Sequence, residues 1–346
     1  MGSIARGDGI SPSLACHIES VLPKGGSRNA LGTSVIPSLL QSISDIAKAL
    51  RAAQDVTHAG TANDFGDEQL NVDVIAENHI REALAKCPSV KVASSEEDPV
   101  ERCVIHSCPV PDASSDTEQY TVAFDPLDGS SIIAPNWTVG TIIGVWDSGE
   151  SALGQRPDDK QIASILGVFG PRTTAIIAIR MPGYTGTCFE VGLSESEAGI
   201  WELVRPSVRL GDAAAQKIRY FAPANLRAAA EDENYMGLVN YYIMNKYTLR
   251  YSGGLVPDVV HALVKGHGIY LSPVTIASKA KLRRLYELCP LAMVVECAGG
   301  SAVDLATGSR ILAQAVKTCD ERGGIVCGTI EEVQMAVQRL LKGVVN

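Results

Sequence analysis

The sequence predicts an α+β protein, and three features of the 346-residue chain lead to that prediction. Two amphipathic helices are expected near the start, a run of short apolar strands follows, and helices and strands alternate in the second half. The chain is 46% hydrophobic, contains 32 glycines and is only 20% charged, which suits a compact enzyme better than a disordered or coiled-coil protein. We therefore expect mixed sheets covered by helices.

The two predicted N-terminal helices carry apolar residues at helical spacing. In "IPSLLQSISDIAKALRAA" the apolar stripe consists of Leu39, Leu40, Ile43, Ile46, Ala47 and Leu50. The polar loop "HAGTANDFGDEQL" then leads into "VDVIAENHIREALAKC", whose stripe consists of Val72, Ile75, Ala76, Ile80 and Leu84. The first thirty residues are rich in Gly, Ser and Pro, and we expect them to be poorly ordered.

Short apolar runs bounded by turn residues predict the strands. In the first half they are "SVKVASSEE", "YTVAFDPLDG", "TVGTIIGVW", "ASILGVFGP", "TTAIIAIRMPG" and "GTCFEVGL". In the second half we expect strands at "IRYFAPA", "GIYLS", "LAMVVECAGG" and "GGIVCG", and helices at "MGLVNYYIMNK", "VPDVVHALVKG", "KAKLRRLYELC" and "TIEEVQMAVQRLLKG". The change of pattern near Gly211 predicts a flexible segment 1–30, an N-terminal half 31–211 and a C-terminal half 212–346.

Charge and cysteine content narrow the possible partners and compartments. A formal net charge of −9 argues against nucleic acid and anionic membranes as partners. The N-terminus lacks the apolar core of a secretory signal, and the nine cysteines form no CxxC pair. These features favour a reduced intracellular compartment, so we expect a cytoplasmic protein. Cys103 and Cys108 lie close enough in the sequence to suggest a redox switch, but two ordinary thiols are the favoured interpretation.

The segment "FDPLDGSS" predicts a metal and phosphate site. A buried strand leads into a turn that carries Asp125 and Asp128, and Gly129, Ser130 and Ser131 follow with little side-chain bulk. Carboxylate oxygens beside exposed backbone N–H groups are what Mg²⁺-assisted phosphoryl chemistry requires. Taken alone, the segment is equally consistent with a solvent-exposed acidic turn.

Two further acidic clusters favour the metal interpretation. "GDEQLNVDV" contains Asp67 and Asp73 around a helix start, and "SSEEDP" contains Glu96 and Glu97 after a predicted strand. Three acidic clusters at the ends of elements would repel one another if they met without cations. Divalent ions would make such a meeting favourable.

The motifs "GDEQLNVDV", "SSEEDP" and "FDPLDGSS" resemble those of the fructose-bisphosphatase class 1 family, within the Mg²⁺-dependent, lithium-sensitive sugar phosphatases. The resemblance runs from about residue 39 to 328 and implies a sugar phosphatase fold, a layered α-β-α-β-α sandwich. Within the family, "NLRA", "YTLRYSGG" and "KAKLRRLYE" are more similar to sedoheptulose-1,7-bisphosphatases than to fructose-1,6-bisphosphatases. In "GIYLSP", Ser272 replaces a substrate-contacting tyrosine of the fructose enzymes, which also argues against fructose 1,6-bisphosphate.

The resemblance also implies a role for each matching residue. The implied metal ligands are Asp67, Glu96, Glu97, Asp125, the backbone carbonyl of Leu127, Asp128 and Glu287. Asp73 and Glu97 would activate the attacking water, and Asp128, Gly129, Ser130 and Ser131 would hold the phosphate that is cleaved. The sugar and the distal phosphate would be bound by Asn225, Tyr251, Lys281 and, from a neighbouring subunit, Arg250. Two to three Mg²⁺ ions per site are implied, with Mn²⁺ as an alternative, in a homodimer or tetramer.

Several of these residues have structural alternatives. Glu287 could be an exposed charge paired with Arg283 or Arg284, and Lys281 a solvated lysine. Tyr251 could pack in a core or interface, and Asn225 could cap the turn that follows it.

The function implied is hydrolysis of the C1 phosphate of sedoheptulose 1,7-bisphosphate. The alternatives are a fructose-1,6-bisphosphatase, an enzyme that accepts both sugars, and an inactive sugar-phosphate-binding scaffold or sensor. A scaffold is disfavoured because all the required acids are present. A plastid location is the alternative to the cytoplasm, because family members occur in both.

Overall fold

Residues 9–24, 28–62, 68–107, 118–194, 199–212 and 215–341 are described in a computed structural model of the chain. The α-helices within them are α1 (Pro12–Val21), α2 (Ile36–Ala52), α3 (Asn71–Leu84), α4 (Ser130–Ile133), α5 (Pro157–Lys160), α6 (Glu233–Met244), α7 (Leu255–Lys265), α8 (Cys289–Cys297) and α9 (Ile330–Leu340). Leu31–Val35 and Arg284–Leu288 are π-helical turns that lead directly into α2 and α8, and Leu226–Ala230 and Ile311–Ala313 are 3₁₀ turns.

The strands belong to two large sheets and two small ones. They are β1 (His58–Ala62), β2 (Glu68–Leu70), β3 (Val90–Ser95), β4 (Arg102–Cys103), β5 (Tyr120–Asp128), β6 (Val139–Trp146), β7 (Gln161–Phe169), β8 (Thr173–Ile179), β9 (Thr187–Ser194), β10 (Ile200–Arg205), β11 (Tyr220–Pro223), β12 (Thr248–Leu249), β13 (Ile269–Ser272), β14 (Leu282–Arg283), β15 (Ser301–Asp304), β16 (Ser309–Arg310), β17 (Arg322–Gly323) and β18 (Ile325–Gly328).

The eight-stranded sheet has the order β10-β9-β8-β7-β6-β5-β3-β4, and only β3 and β5 run parallel to each other. The six-stranded sheet has the order β12-β11-β13-β18-β15-β16, in which β11 is parallel to both of its neighbours. β1 with β2, and β14 with β17, form antiparallel pairs outside these sheets.

The described residues form five layers with three apolar cores, the middle core surrounding the central helices, which confirms the predicted α-β-α-β-α sandwich. The first core lies between α1–α3 and the eight-stranded sheet and contains Leu39 and Ile143. The second lies between the two sheets, around α7 and α8, and contains Ile142 and Met293. The third lies between the six-stranded sheet and helices α6 and α9. The neighbours Ile142 and Ile143 enter different cores because successive strand residues point to opposite faces.

The fold corrects the prediction of a strand at "LAMVVECAGG". These residues lie mostly in α8, which continues from the π-helical turn and carries Pro290 in its first turn. α8 is buried almost all round between the sheets, so its sequence shows a continuous apolar run without helical periodicity. Such a run does not distinguish a buried helix from a buried strand.

Part of the segment expected to be poorly ordered is also structured. Pro12–Val21 form α1, in which Ser11 caps the N-terminus by accepting a hydrogen bond from the N–H of Leu14 at 3.3 Å. Leu14 and Ile18 are buried in the first core. In addition, the predicted polar loop 58–70 contains β1 and β2, and β10 was not predicted. None of the described helices combines the length and apolar character required to cross a bilayer.

Candidate active site

The candidate site lies where β3 ends beside β5. Because these two strands are parallel, with Ser95 opposite Phe124, the residues that follow Ser95 and Phe124 emerge at one edge of the sheet. The N–H of Glu96 donates a hydrogen bond to the carbonyl of Phe124 at 3.0 Å, which places Glu96 beside Asp125. Two of the predicted acidic clusters therefore meet.

β5 does not end at Phe124 as the turn chemistry of "DPLDG" suggested. The strand runs on to Asp128, with an irregularity between Asp125 and Asp128 where Pro126 is unable to donate a ladder hydrogen bond. Thr141 of β6 donates its hydroxyl to the carbonyl of Asp125 at 3.0 Å, which secures this irregular segment. Both aspartates are consequently buried.

A third carboxylate reaches the same place from the C-terminal half. Asp125, Asp128 and Glu287 offer oxygens that all lie within 4.8 Å of one another, and all three residues are buried. Glu287 belongs to the π-helical turn before α8, and its Oε2 accepts a hydrogen bond from the N–H of Arg283 at 2.5 Å. The alternative that Glu287 is an exposed surface charge is therefore wrong.

Backbone N–H groups hold the two aspartates in position. Asp125 Oδ1 accepts from the N–H of Leu127 at 3.0 Å. The two oxygens of Asp128 accept from the N–H groups of Leu255 and Val256, at 3.2 and 2.7 Å. Those N–H groups begin α7, so the positive end of that helix faces Asp128.

These hydrogen bonds do not compensate the burial of so much negative charge. Burial raises the pKa values of Asp125 and Glu287 well above their usual range, and the nearby charge of Glu96 raises them further. Burial also raises the pKa of Asp128 to about 7, although the N–H groups of Val256 and Leu255 oppose the shift. Several buried carboxylates with only oxygen donors between them fit a hard divalent cation such as Mg²⁺.

The two predicted catalytic acids lie next to this cluster. Asp73 Oδ2 accepts from the N–H of Leu70 at the start of α3, whereas its buried Oδ1 has no hydrogen-bond partner. Glu97 Oε2 accepts from the side-chain amide of Gln69 at 2.6 Å. Burial raises the pKa of Asp73 to about 6 and that of Glu97 to about 7, and the charge of Glu96 adds to both shifts. Both groups therefore change protonation state near neutral pH.

The segment after Asp128 turns sharply into a short helix. Gly129 has φ +100°, a conformation that an L-residue rarely adopts, and α4 follows directly. The side chains of Ser130 and Ser131 are exposed beside the buried acids. The first N–H groups of a helix have no acceptor within it, and in α4 these groups follow Asp128 directly in the chain.

The predicted sugar-binding residues lie in the C-terminal half. The side-chain amide of Asn225 donates to the carbonyls of Pro273 and Ser278, at 2.7 and 3.3 Å, and so holds the loop before Lys281. Asn225 has φ +48° and makes no side-chain cap to the turn that follows, so the capping alternative is not what the structure shows. Lys281 is exposed.

Tyr251 and Arg250 are adjacent and exposed. Burial of part of the ring and the nearby carboxylate of Asp258 raise the pKa of Tyr251. The guanidinium of Arg250 lies 5.6 Å from the ring centre of Tyr220 and donates to the carbonyl of Leu249 at 2.8 Å. Asp67 and Cys108, which the sequence also singled out, lie outside the described residues.

The structure adds one residue to the site that sequence reasoning did not assign. Arg283 is fully buried, and its Nε lies 3.1 Å from Glu96 Oε1. The backbone N–H of Arg283 donates to Glu287, and Arg284 pairs with the buried Asp304. The sequence signal was two arginines inside an otherwise apolar segment, which by itself does not show where either side chain points.

Comparison with known proteins finds two family models that match successive parts of the chain. The family model described as "Fructose-1-6-bisphosphatase, N-terminal domain" matches residues 18–205, and the one described as "Fructose-1-6-bisphosphatase, C-terminal domain" matches residues 214–341. A crystal structure of a protein provisionally described as a sedoheptulose-1,7-bisphosphatase, from Toxoplasma gondii, is similar with a TM-score of 0.82 and 32% identity. That match covers 96% of this chain and 99% of the other.

Two curated relatives carry two different names. The chain is 40% identical to "Sedoheptulose-1,7-bisphosphatase, chloroplastic" of Triticum aestivum over 79% of its own length, and it spans 65% of the wheat protein. It is 35% identical to "Fructose-1,6-bisphosphatase class 1" of Syntrophotalea carbinolica, over 82% of this chain and 81% of the relative. From these matches we conclude that the chain belongs to the fructose-1,6-bisphosphatase family.

Proposed function

We propose that this protein hydrolyses the C1 phosphate of sedoheptulose 1,7-bisphosphate, giving sedoheptulose 7-phosphate and inorganic phosphate. The observation that carries the proposal is the buried cluster of Asp125, Asp128 and Glu287 beside Glu96. The choice of sugar is supported by the 40% identity with the wheat protein that bears the sedoheptulose name.

The cluster is the proposed site of two to three Mg²⁺ ions, with Mn²⁺ as an alternative. The proposed ligands are Asp67, Glu96, Glu97, Asp125, the carbonyl of Leu127, Asp128 and Glu287. A divalent cation bound there supplies positive charge that neutralises phosphate oxygens and acidifies water. The chain's own contribution is to hold its carboxylates close together in a position where they repel one another until a cation enters.

Asp73 and Glu97 are the proposed general bases. Asp73 keeps one oxygen free of hydrogen bonds, and the pKa values of both acids lie close to neutral pH. A base is most effective when its pKa is near the working pH, because it is then both deprotonated and able to take a proton. Gln69 orients Glu97 by donating to its Oε2.

The remaining residues are proposed to orient the substrate. Asp128, Gly129, Ser130 and Ser131 hold the phosphate that leaves, because the turn at Gly129 brings small side chains and free N–H groups beside the acids. Lys281, Tyr251 and Asn225 bind the sugar and the distal phosphate, so that binding energy far from the reacting bond positions it. In the proposed homodimer or tetramer, the exposed Arg250 of a second copy completes that end of the site.

The direct test is phosphate release from sedoheptulose 1,7-bisphosphate and fructose 1,6-bisphosphate, measured side by side with Mg²⁺ and with EDTA. We expect Mg²⁺-dependent release with the higher kcat/KM for the sedoheptulose sugar. The second candidate, a fructose-1,6-bisphosphatase, is favoured by the 35% identity with the bacterial relative and would be indicated by the opposite preference. Absence of release from either sugar would leave only the non-catalytic scaffold.

A further inference from the structure

Arg283 is a cation buried at the edge of the proposed metal site. Its side chain has no exposed surface and lies between two carboxylates. Nε lies 3.1 Å from Glu96 Oε1, and Nη1 lies 2.5 Å from Asp320 Oδ1. A buried charge requires such partners, because the loss of hydration costs several kcal/mol per ion when it is not offset.

The backbone fixes Asp320 in this position. β14 and β17 pair so that Leu282 lies opposite Gly323 and Arg283 opposite Arg322. The N–H of Arg284 donates to the carbonyl of Glu321 at 2.7 Å, and Arg322 Nε lies 3.1 Å from Asp320 Oδ1. Asp320 therefore reaches Arg283 from a segment held by main-chain hydrogen bonds, although its own side chain is 47% exposed.

Glu96 has two competing uses in this arrangement. It is a proposed cation ligand, and it is also an ion-pair partner of Arg283. A guanidinium that bound Glu96 alone would oppose a divalent cation at the same carboxylate, both by occupying its oxygens and by like-charge repulsion. Asp320 supplies a second carboxylate to that guanidinium at Nη1, and it is also paired with Arg322.

We propose that Asp320 is a positioning residue for the metal site: it shares Arg283 with Glu96 and thereby leaves Glu96 available to a divalent cation. The proposal rests on the proposed function only in assuming that a divalent cation binds at Glu96. It gives a role to an acid that touches neither the buried cluster nor the sugar-binding residues. Residues that orient metal ligands from outside commonly change metal affinity by about 10- to 100-fold when they are replaced.

The chain offers a matched control at the next residue. Glu321 lies in the same segment and pairs with Arg284 (Nε to Oε1, 3.1 Å), and Arg284 pairs in turn with Asp304 rather than with Glu96. Asp320→Asn and Glu321→Gln each remove one negative charge at adjacent positions. Long-range electrostatics therefore changes almost equally in the two variants, whereas only Asp320→Asn alters the environment of Glu96.

The experiment is a calorimetric titration of the wild type and the two variants with Mn²⁺ and Mg²⁺, together with thermal unfolding at several cation concentrations. We expect Asp320→Asn to bind the cation about tenfold more weakly and Glu321→Gln to stay within about twofold of the wild type. In EDTA the unfolding temperatures of the two variants should fall by similar amounts, because each variant loses one carboxylate partner of a buried arginine and keeps the other. At saturating cation, kcat of Asp320→Asn should recover.

Two outcomes would overturn the proposal while leaving the proposed function intact: unchanged cation affinity in Asp320→Asn, or an equal loss in both variants. Asp320→Glu provides a second check, because it keeps a carboxylate and should restore most of the affinity. If Asp320→Glu does not restore the cation affinity, the proposal that Asp320 shares Arg283 with Glu96 is wrong. Failure of the wild type to bind either cation would overturn the proposed function and this proposal together.

Discussion

Asp128 shows how one residue can be held firmly and still be available to a ligand. Its two oxygens accept hydrogen bonds from N–H groups at the start of α7, and one of its oxygens lies within 4.8 Å of oxygens of Asp125 and Glu287. Asparagine at this position would keep one acceptor for α7 but would lose the charge that a cation requires.

For Asp128→Asn we expect the rate of phosphate release to fall by about 100-fold or more. The reason is that the variant loses a carboxylate charge that the proposed cation requires beside the reacting phosphate. The free energy of unfolding in EDTA should change by no more than about 1.5 kcal/mol, the range of one hydrogen bond. Steady-state kinetics and denaturant unfolding check both statements. Asp45→Asn, on the outer face of α2, is the control, and wild-type turnover in Asp128→Asn would refute the metal assignment.

Asp73 combines a structural and a proposed chemical role in its two oxygens. Oδ2 accepts the N–H of Leu70 and stabilises the start of α3, while Oδ1 is buried without a partner. In Asp73→Asn the side-chain oxygen can keep the hydrogen bond to Leu70, but the group is no longer a base. We expect kcat to fall by about 10²- to 10⁴-fold with the helix intact. Cation affinity by calorimetry should stay near the wild-type value, and an unchanged kcat would exclude Asp73 as a base.

Among the elements, the turn from β5 into α4 is the one whose geometry the proposed phosphate binding uses most directly. Gly129 has φ +100°, and a Cβ there would approach Val139 Cγ1 to 3.2 Å and Ile132 Cγ1 to 3.3 Å. Gly154 has a similar φ of +74° but has nothing within 4 Å of the Cβ position. Substitutions at the two glycines therefore distinguish the effect of backbone strain from the effect of displacing the turn that is proposed to bind phosphate.

We expect Gly129→Ala and Gly154→Ala each to destabilise the fold by about 1 kcal/mol, because alanine disfavours positive φ. Only Gly129→Ala should also raise KM and lower kcat/KM, since the crowded Cβ displaces the turn beside the acids. Unfolding curves and kinetics on the same preparations test this. Equal kinetics in the two variants would mean that the turn does not bind the phosphate.

The sequence predicts most of the helices and strands. It does not predict those whose burial or pairing depends on contacts with distant parts of the chain. α2 and α3 have one buried face, so their periodicity identified them. α8 is buried almost all round between two sheets and was therefore taken for a strand. The irregular end of β5 depends on the hydrogen bond from Thr141 and on pairing with β6. The local pattern "DPLDG" does not predict either contact.

At the scale of the whole molecule, the candidate site depends on residues far apart in the chain meeting in space. The acids that follow β3 and those in β5 and α3 lie within the first half, and their convergence follows in part from the parallel pairing of β3 and β5. Glu287 arrives on the π-helical turn before α8, which lies between the two sheets. Its place in the cluster was implied only by the family resemblance. Arg283 and Asp320 required the structure itself.

Clustered acids should make the stability of the metal-free protein depend on pH. Asp128 and Glu97 have pKa values of about 7 and Asp73 of about 6 in the folded chain, above the usual value of about 4 for an unfolded carboxyl group. Between about pH 4 and 7 the folded state therefore binds more protons than the unfolded state, and stability falls as the pH rises through that window.

In EDTA we expect the unfolding temperature to be higher at pH 6 than at pH 8, by about 2 °C or more. With Mg²⁺ present the difference should become smaller, because the cation stabilises the ionised acids. Thermal unfolding at both pH values, in EDTA and in Mg²⁺, measures this difference. Groups that titrate elsewhere in the protein contribute equally with and without Mg²⁺, so the comparison removes their effect. The same pH dependence with and without Mg²⁺ would show that these acids do not meet a cation.

Cation binding by the buried acids is tested most directly by a crystal structure of the protein grown with Mn²⁺ and measured for anomalous scattering. We expect a strong anomalous peak enclosed by Asp125, Asp128 and Glu287, within bonding distance of their oxygens. A map with no peak there, in crystals that diffract well and contain Mn²⁺ at millimolar concentration, would contradict it.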